Sequence, residues 1–133
     1  MTVAEDLPRF LSLPWLQAFV AHCQADTELR AGLRGFSATT VYGWLDREYA
    51  PVFLRLKKGE PEEIGEGEPV RPQFRVFAQA ATWEQIHRRQ LSGKKALLSK
   101  QLAFRGSMIT LIRFMEPINA TFARMGDIPA RFD

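Results

Sequence analysis

The stretch Phe36–Gly59, FSATTVYGWLDREYAPVFLRLKKG, decides the architecture. Residues 37–45 are rich in Thr, Val, Tyr and Trp, side chains that suit a pleated surface, and predict a strand. A polar break at Asp46-Arg47-Glu48 separates it from a second run, Tyr49 to Lys57. There Val52, Leu54 and Leu56 alternate with Phe53, Arg55 and Lys57, the period of a half-buried strand, and Gly59 ends it. The two runs predict an antiparallel hairpin. Pro51 has no N–H to offer a ladder, so it predicts an edge or a strand entrance.

Upstream the period is helical. Pro14 suits a first helical turn, with Ser12 or Leu13 in the cap region. Trp15, Leu16, Phe19, Val20 and Cys23 recur at three- and four-residue spacing as an amphipathic stripe. Asp26 can cap a second short helix with Glu28 in its first turn and Leu29 and Leu33 on its apolar side, before Gly32 and Gly35 end it.

Downstream, residues 59–72 hold Pro61, Gly65, Gly67, Pro69 and a cluster of glutamates, which predicts an exposed loop with at most a short strand around Ile64. Phe74 to Ala80 alternates again, with Phe74, Val76 and Ala78 on one face and Arg75, Phe77 and Gln79 on the other. Thr82 opens a helix with Trp83, Ile86 and Leu91 on one side, and Gly93 stops it. Lys94 to Ser99 gives a further turn or two, and Leu102 and Phe104 mark a last strand closed by Gly106. Met108, Ile109, Leu111, Ile112, Met115, Ile118 and Phe122 then make the most apolar element, covering more than one helical face. Ser107 can cap it. Pro117 must kink or restart it, lacking the N–H and clashing with the preceding turn. The order ααβββ(β)ααβα predicts an α+β fold with a mostly antiparallel five-stranded sheet packed against helices.

Composition narrows the class. At 133 residues, 46% apolar and 25% charged, the chain reads as a single domain over residues 1–133 and not as a disordered segment. One cysteine, Cys23, rules out an internal disulfide framework and a multi-cysteine metal site. No apolar run approaches the roughly 20 residues of a membrane helix. Glu5 and Asp6 precede any basic residue, which argues against a signal peptide, so the expected compartment is the cytoplasm.

The net charge of +3 is local in origin. Residues 46–70 carry seven acidic and four basic side chains, while residues 81–113 carry Arg88, Arg89, Lys94, Lys95, Lys100, Arg105 and Arg113 against Glu84 alone. Such a basic third fits either a solvated face or an anionic partner such as a phosphate, a lipid headgroup or a carboxylate. Nucleic acid is not expected: Trp83 and Phe104 fall at apolar-phase positions, where they read as core and not as exposed stacking platforms.

Signatures of catalysis are missing. His22 and Cys23 are adjacent and diverge on a helix. Two histidines without a spaced acidic partner make no metal site. Ser107 has a better role as a cap than as a partner of His87. There is no nucleophile elbow, phosphate loop or dinucleotide fingerprint. The expectation is no enzyme, no cofactor and no metal.

Several of these elements together resemble the sterol carrier protein-2 superfamily. Phe36 to Gly59 is similar to that family's opening hairpin, ending in Lys58-Gly59. Phe74 to Ala80 with Thr82 and Trp83 resembles the strand that feeds its central helix. Leu91-Ser92-Gly93-Lys94-Lys95-Ala96-Leu97 resembles its glycine break and second short helix, and Leu102 to Gly106 with Ser107-Met108 its strand–glycine–helix ending. The likeness spans about residues 15–122. The acidic, glycine-rich segment before the fourth strand and the Glu116-Pro117-Ile118-Asn119 segment depart from the pattern, and the closing Arg131-Phe132-Asp133 is not a peroxisomal tripeptide.

The resemblance implies a hydrophobic tunnel between the sheet and the C-terminal helix, holding an acyl chain, isoprenoid or sterol. Phe74, Trp83, Phe104, Met108, Leu111, Ile112 and Met115 are the expected lining, being aromatic or pliant in the way such a pocket requires; the same stripe also serves as plain core. Arg105 and Arg113 are the expected headgroup contacts, with surface solvation as the alternative. Superfamily members also act as accessory factors of ubiquinone synthesis and as dimerising modules. Tyr42, Phe53 and Phe77, read as outward-facing, are the partner surface expected for a homodimer or protein partner. Transient contact with a membrane surface is the remaining expectation.

Overall fold

The Phe36–Gly59 stretch folds as the hairpin its alternation predicts. Strand β1 (Ala38–Trp44) pairs antiparallel with β2 (Val52–Lys57), placing Tyr42 opposite Val52 and Val41 opposite Phe53. Pro51 sits at the entrance to β2. The structure, a computed structural model, describes residues 6–133.

The acidic segment expected to be a loop is a seven-residue strand, β3 (Glu60–Glu66), antiparallel to β2 at the sheet edge. Its glutamates stay in solvent, as edge strands require, and Pro61 lies beside a register shift at Arg55/Leu56, where a missing N–H is tolerated. Strand β4 (Phe74–Ala78) returns beside β1 and runs parallel to it, and β5 (Ala103–Arg105) closes the other edge antiparallel to β4. The sheet order is β3-β2-β1-β4-β5. Three antiparallel pairs and one parallel pair make it the mostly antiparallel five-stranded sheet of an α+β protein.

The helices begin where their caps stand. Ser12 caps α1 (Leu13–Gln24) and Asp26 caps α2 (Thr27–Gly32). Helix α3 (Ala80–His87) starts two residues earlier than expected, because Asp46 Oδ1 accepts the Ala80 N–H at 2.8 Å. Ser92 caps α4 (Gly93–Leu98) and Ser107 caps α5 (Met108–Arg113). The closing apolar run is not one kinked helix. It breaks at Phe114, and α6 (Met115–Met125) restarts with Pro117 in its first turn, where the absent N–H leaves no helical bond unmade.

One face of the sheet receives the helices. Val52, Leu54, Val76 and Ala78 pack there against Trp15, Leu16 and Phe19 of α1, Trp83 of α3 and Phe122 of α6. The other face is covered by its own side chains. The Phe77 ring lies over Gly43 and the Phe53 ring over Gly65, where a Cβ on either glycine would occupy ring space. Between them Val41 is fully buried. Arg75 caps the arrangement, its guanidinium 4.7 Å from the Phe77 ring centre.

This corrects the expected partner surface. Tyr42 shares the inner face with Val52 and is buried, and Phe53 is buried on the outer face; Phe77 alone of the three is half-buried.

Candidate functional site

The apolar interior is divided. One cluster gathers around Phe10, Trp15, Trp83 and Phe122. A smaller one joins Leu29, Leu33, Phe36, Ala38 and Phe74. Cys23, Leu56, Phe104 and Ile118 are half-buried and touch both. The seam between the clusters is a cavity of about 80 Å³.

Each wall follows from a local pattern. The sheet supplies alternate residues of its inner face, Thr40 and Tyr42 from β1, Leu54 and Leu56 from β2, Phe74 and Val76 from β4. Helix α1 supplies Phe19, Val20 and Cys23, the last residues of its stripe, and α2 and the turn after it add Leu29 and Leu33 at i,i+4. Leu111 of α5 and Ile118, Thr121 and Phe122 of α6 complete the enclosure. At one end the aromatic rings pack on one another: Phe36 stacks on Phe74 at 5.7 Å, Phe74 meets Phe104 at 5.6 Å, and Phe114 meets Phe36 edge-on at 5.3 Å.

The rim is polar and internally paired. Arg30 Nη2 donates to Glu60 Oε1 at 2.9 Å, tying α2 to β3 beside the cavity. Arg124 of α6 is bound to Asp26, the α2 cap. Inside, burial pushes the Cys23 thiol up to about 12 despite the nearby Arg124 guanidinium, and burial, with Cys23 nearby, likewise raises Tyr42. The Cys23 thiol is therefore protonated, a small apolar wall and not a nucleophile.

Of the expected lining residues, Phe74, Phe104 and Leu111 reach the cavity. Trp83 does not: it is fully buried in the main cluster, with Nε1 donating to the Gly43 carbonyl at 2.9 Å. Met115 is half-buried outside the lining. Met108 and Ile112 are 55% and 67% exposed, since Leu111 alone of α5 is buried and the other apolar side chains face solvent. Arg105 lies opposite Arg75 on the outer side of β5, and Arg113 sits with its guanidinium 5.5 Å from the Phe114 ring centre; neither lines the cavity.

Hydropathy along the closing run marks its most apolar segment, which faces solvent at Met108, Ile109 and Ile112. Other lining residues, Leu29, Leu33, Leu54 and Tyr42 among them, carry the same period-two and i,i+4 signals as ordinary core. Ser107 and His87 have separate partners, the Thr110 N–H and the Ile128 carbonyl. Among the described residues no group of three or more His, Cys, Asp or Glu is arranged to hold a metal ion. No helix there is long and apolar enough to cross a membrane.

The sequence matches no family model and no curated protein. Solved structures do match. A crystal structure of sterol carrier protein 2 superposes with a TM-score of 0.81 at 16% identity, over 91% of this chain and 100% of that one. The solution structure of a conserved hypothetical protein from Thermus thermophilus gives 0.80 at 16% identity, over 94% and 93%. Palmitated SCP2L2 from Aedes aegypti gives 0.58 at 15% identity, over 78% and 90%. The chain has the sterol carrier protein 2 fold. The resemblance read from the hairpin, the glycine break and the strand–glycine–helix ending is a likeness of three-dimensional structure.

Proposed function

We propose that the protein is a non-enzymatic lipid-binding and lipid-transfer protein that holds an acyl chain, isoprenoid or sterol in the seam between its sheet and C-terminal helices. The observation that carries this reading is the cavity itself, an apolar gap left between two hydrophobic clusters. Native interiors hold few voids larger than a water, so a gap of about 80 Å³ between packed clusters is a feature to be explained. Each methylene transferred from water contributes about 0.8 kcal/mol, which gives a chain useful affinity without polar recognition. A fold neighbour described as palmitated supports an acyl ligand.

The resting cavity is smaller than the roughly 300 Å³ at which small-molecule sites begin, so its walls must give way on loading. Helix α5 is the element suited to move. It has six residues, one buried side chain, Leu111, and a break at Phe114 behind it. Its outward residues Met108, Ile109 and Ile112 are exposed, and residues 85–115 hold seven Arg and Lys and no acidic residue. That combination suits brief docking on an anionic membrane surface, with Arg105 and Arg113 against headgroups. A single unpaired cysteine suits a reducing compartment such as the cytoplasm.

The accessory-subunit reading loses the surface it needed, because Tyr42 and Phe53 are buried. It retains the exposed face of α5.

Native mass spectrometry of the purified protein, followed by displacement of a fluorescent fatty acid, tests the proposal. Co-purified lipid, or displacement of the probe by micromolar unlabelled lipid, is expected. A lipid-free protein that does not bind the probe contradicts it, and a tight dimer by light scattering favours the accessory role.

A further inference from the structure

Within the apolar seam, two hydroxyl groups stand two positions apart on the inner face of β1. Tyr42 lines the cavity and is only 8% exposed, yet its hydroxyl has no hydrogen-bond partner among the described residues. Thr40 brings a second hydroxyl to the same wall, about 7 Å along the strand. The Tyr42 oxygen is not one of the fully enclosed unpaired side-chain atoms, which are Arg9 Nε and Trp44 Nε1, so it borders space that a partner can enter. The void beside it is where a partner is to be sought.

The chemistry of that partner is constrained by what surrounds it. The guanidinium at the rim, Arg30, is already paired with Glu60, and Arg124 is paired with Asp26. Of the other polar groups in the lining, Gln24 brings a neutral amide, Thr121 donates to the Ile118 carbonyl, and the Cys23 thiol is held protonated by burial, so this end of the seam disfavours an anion. An oxygen that arrives uncharged can exchange a hydrogen bond with either hydroxyl. A carboxylate would have to shed its hydration with no unpaired cation among the described lining residues to replace it.

On the reading that the cavity takes a lipid, we propose that Tyr42 and Thr40 form a neutral polar anchor for an uncharged oxygen of that lipid. The preferred class is then long-chain alcohols, ketones and esters, hydroxyl-bearing isoprenoids and sterols included, over free fatty-acid anions.

The test compares 1-dodecanol and dodecanoate, equal in chain length, binding to the delipidated protein at pH 8 by competition against a fluorescent fatty acid. Tighter binding of dodecanol is expected. Tyr42→Phe should weaken dodecanol about five- to tenfold, the worth of one hydrogen bond, and leave dodecanoate within about twofold. Thr40→Val supplies the same readout should the tyrosine variant fold poorly. Dodecanoate binding as tightly as dodecanol, or neither variant affecting dodecanol, overturns the anchor while leaving the carrier reading intact. Failure of both ligands and of the fluorescent probe to bind overturns the carrier reading and the anchor with it.

Discussion

Arg124 of α6 donates two hydrogen bonds to Asp26 Oδ2, from Nε at 3.0 Å and Nη2 at 2.6 Å, while Asp26 Oδ1 accepts the Glu28 and Leu29 N–H groups at 3.1 and 3.0 Å. One carboxylate therefore starts α2 and fastens α6 to it. Asp26→Ala removes both contacts, whereas Asp26→Asn keeps an oxygen for the cap and loses the charge. Thermal unfolding should rank wild type above Asp26→Asn and Asp26→Asn above Asp26→Ala. Equal melting temperatures for the two variants would show that the clamp, and not the cap, is the whole of the effect.

Acid should loosen the same corner. The Leu29 N–H and then Arg124 hold Asp26 below the usual carboxylate range, and His22 followed by Arg89 does so for Asp127. Both carboxyls have folded values below the unfolded value of about 3.9, so their stabilisation is present above that pH and is lost as pH falls through the folded values. Urea midpoints measured from pH 6 to pH 3 should drop below about pH 4. In the Asp26→Asn/Asp127→Asn double variant the drop should be shallower.

The outer sheet face gives a packing test independent of lipid. Any side chain at Gly43 enters the volume of the Phe77 ring. Gly43→Ala should destabilise by about 1–3 kcal/mol, the usual range for overpacking, in denaturant unfolding. Phe77→Ala in the same chain should recover part of that loss, a coupling that two non-touching sites would not show.

Trp83 separates core from site. Its indole N–H bonds the Gly43 carbonyl and its ring lies in the main cluster, away from the cavity. Trp83→Phe should lower stability by about 1–3 kcal/mol, through the lost indole hydrogen bond and the volume taken from a fully buried ring. Affinity for a fluorescent fatty acid should be unchanged, and a parallel loss of affinity would mean the cavity extends to this residue.

The strands of the sheet were legible where one face is wet and the other dry, as in Val52-Phe53-Leu54 and Phe74-Arg75-Val76, because alternation is the imprint of that asymmetry. β3 hid behind its edge position. Both sides of the strand see solvent at most positions, so Glu60, Glu62, Glu63 and Pro61 carry the composition of a loop while Ile64 alone faces Leu54. The parallel pairing of β1 with β4 joins segments more than thirty residues apart, which no local period encodes. Tyr42 lies on the inner face, not the outward one expected, for a related reason: its phase depends on the register with Val52, set by the whole connection between the strands. At the site, periodicity marks apolar faces but does not distinguish faces that meet from faces that leave a gap. Leu111 and Ile112 are neighbours of equal hydrophobicity, one 3% and the other 67% exposed.

The most direct test is an NMR measurement of nuclear Overhauser contacts between a protonated acyl chain and the methyl groups of the otherwise deuterated, delipidated protein. Contacts from the chain to Leu29, Leu54, Leu111 and Ile118, with none to Ile109 and Ile112, are the predicted result. Contacts confined to Ile109 and Ile112, or no contacts at saturating ligand, would contradict it, leaving the lipid adsorbed on α5 or not bound at all.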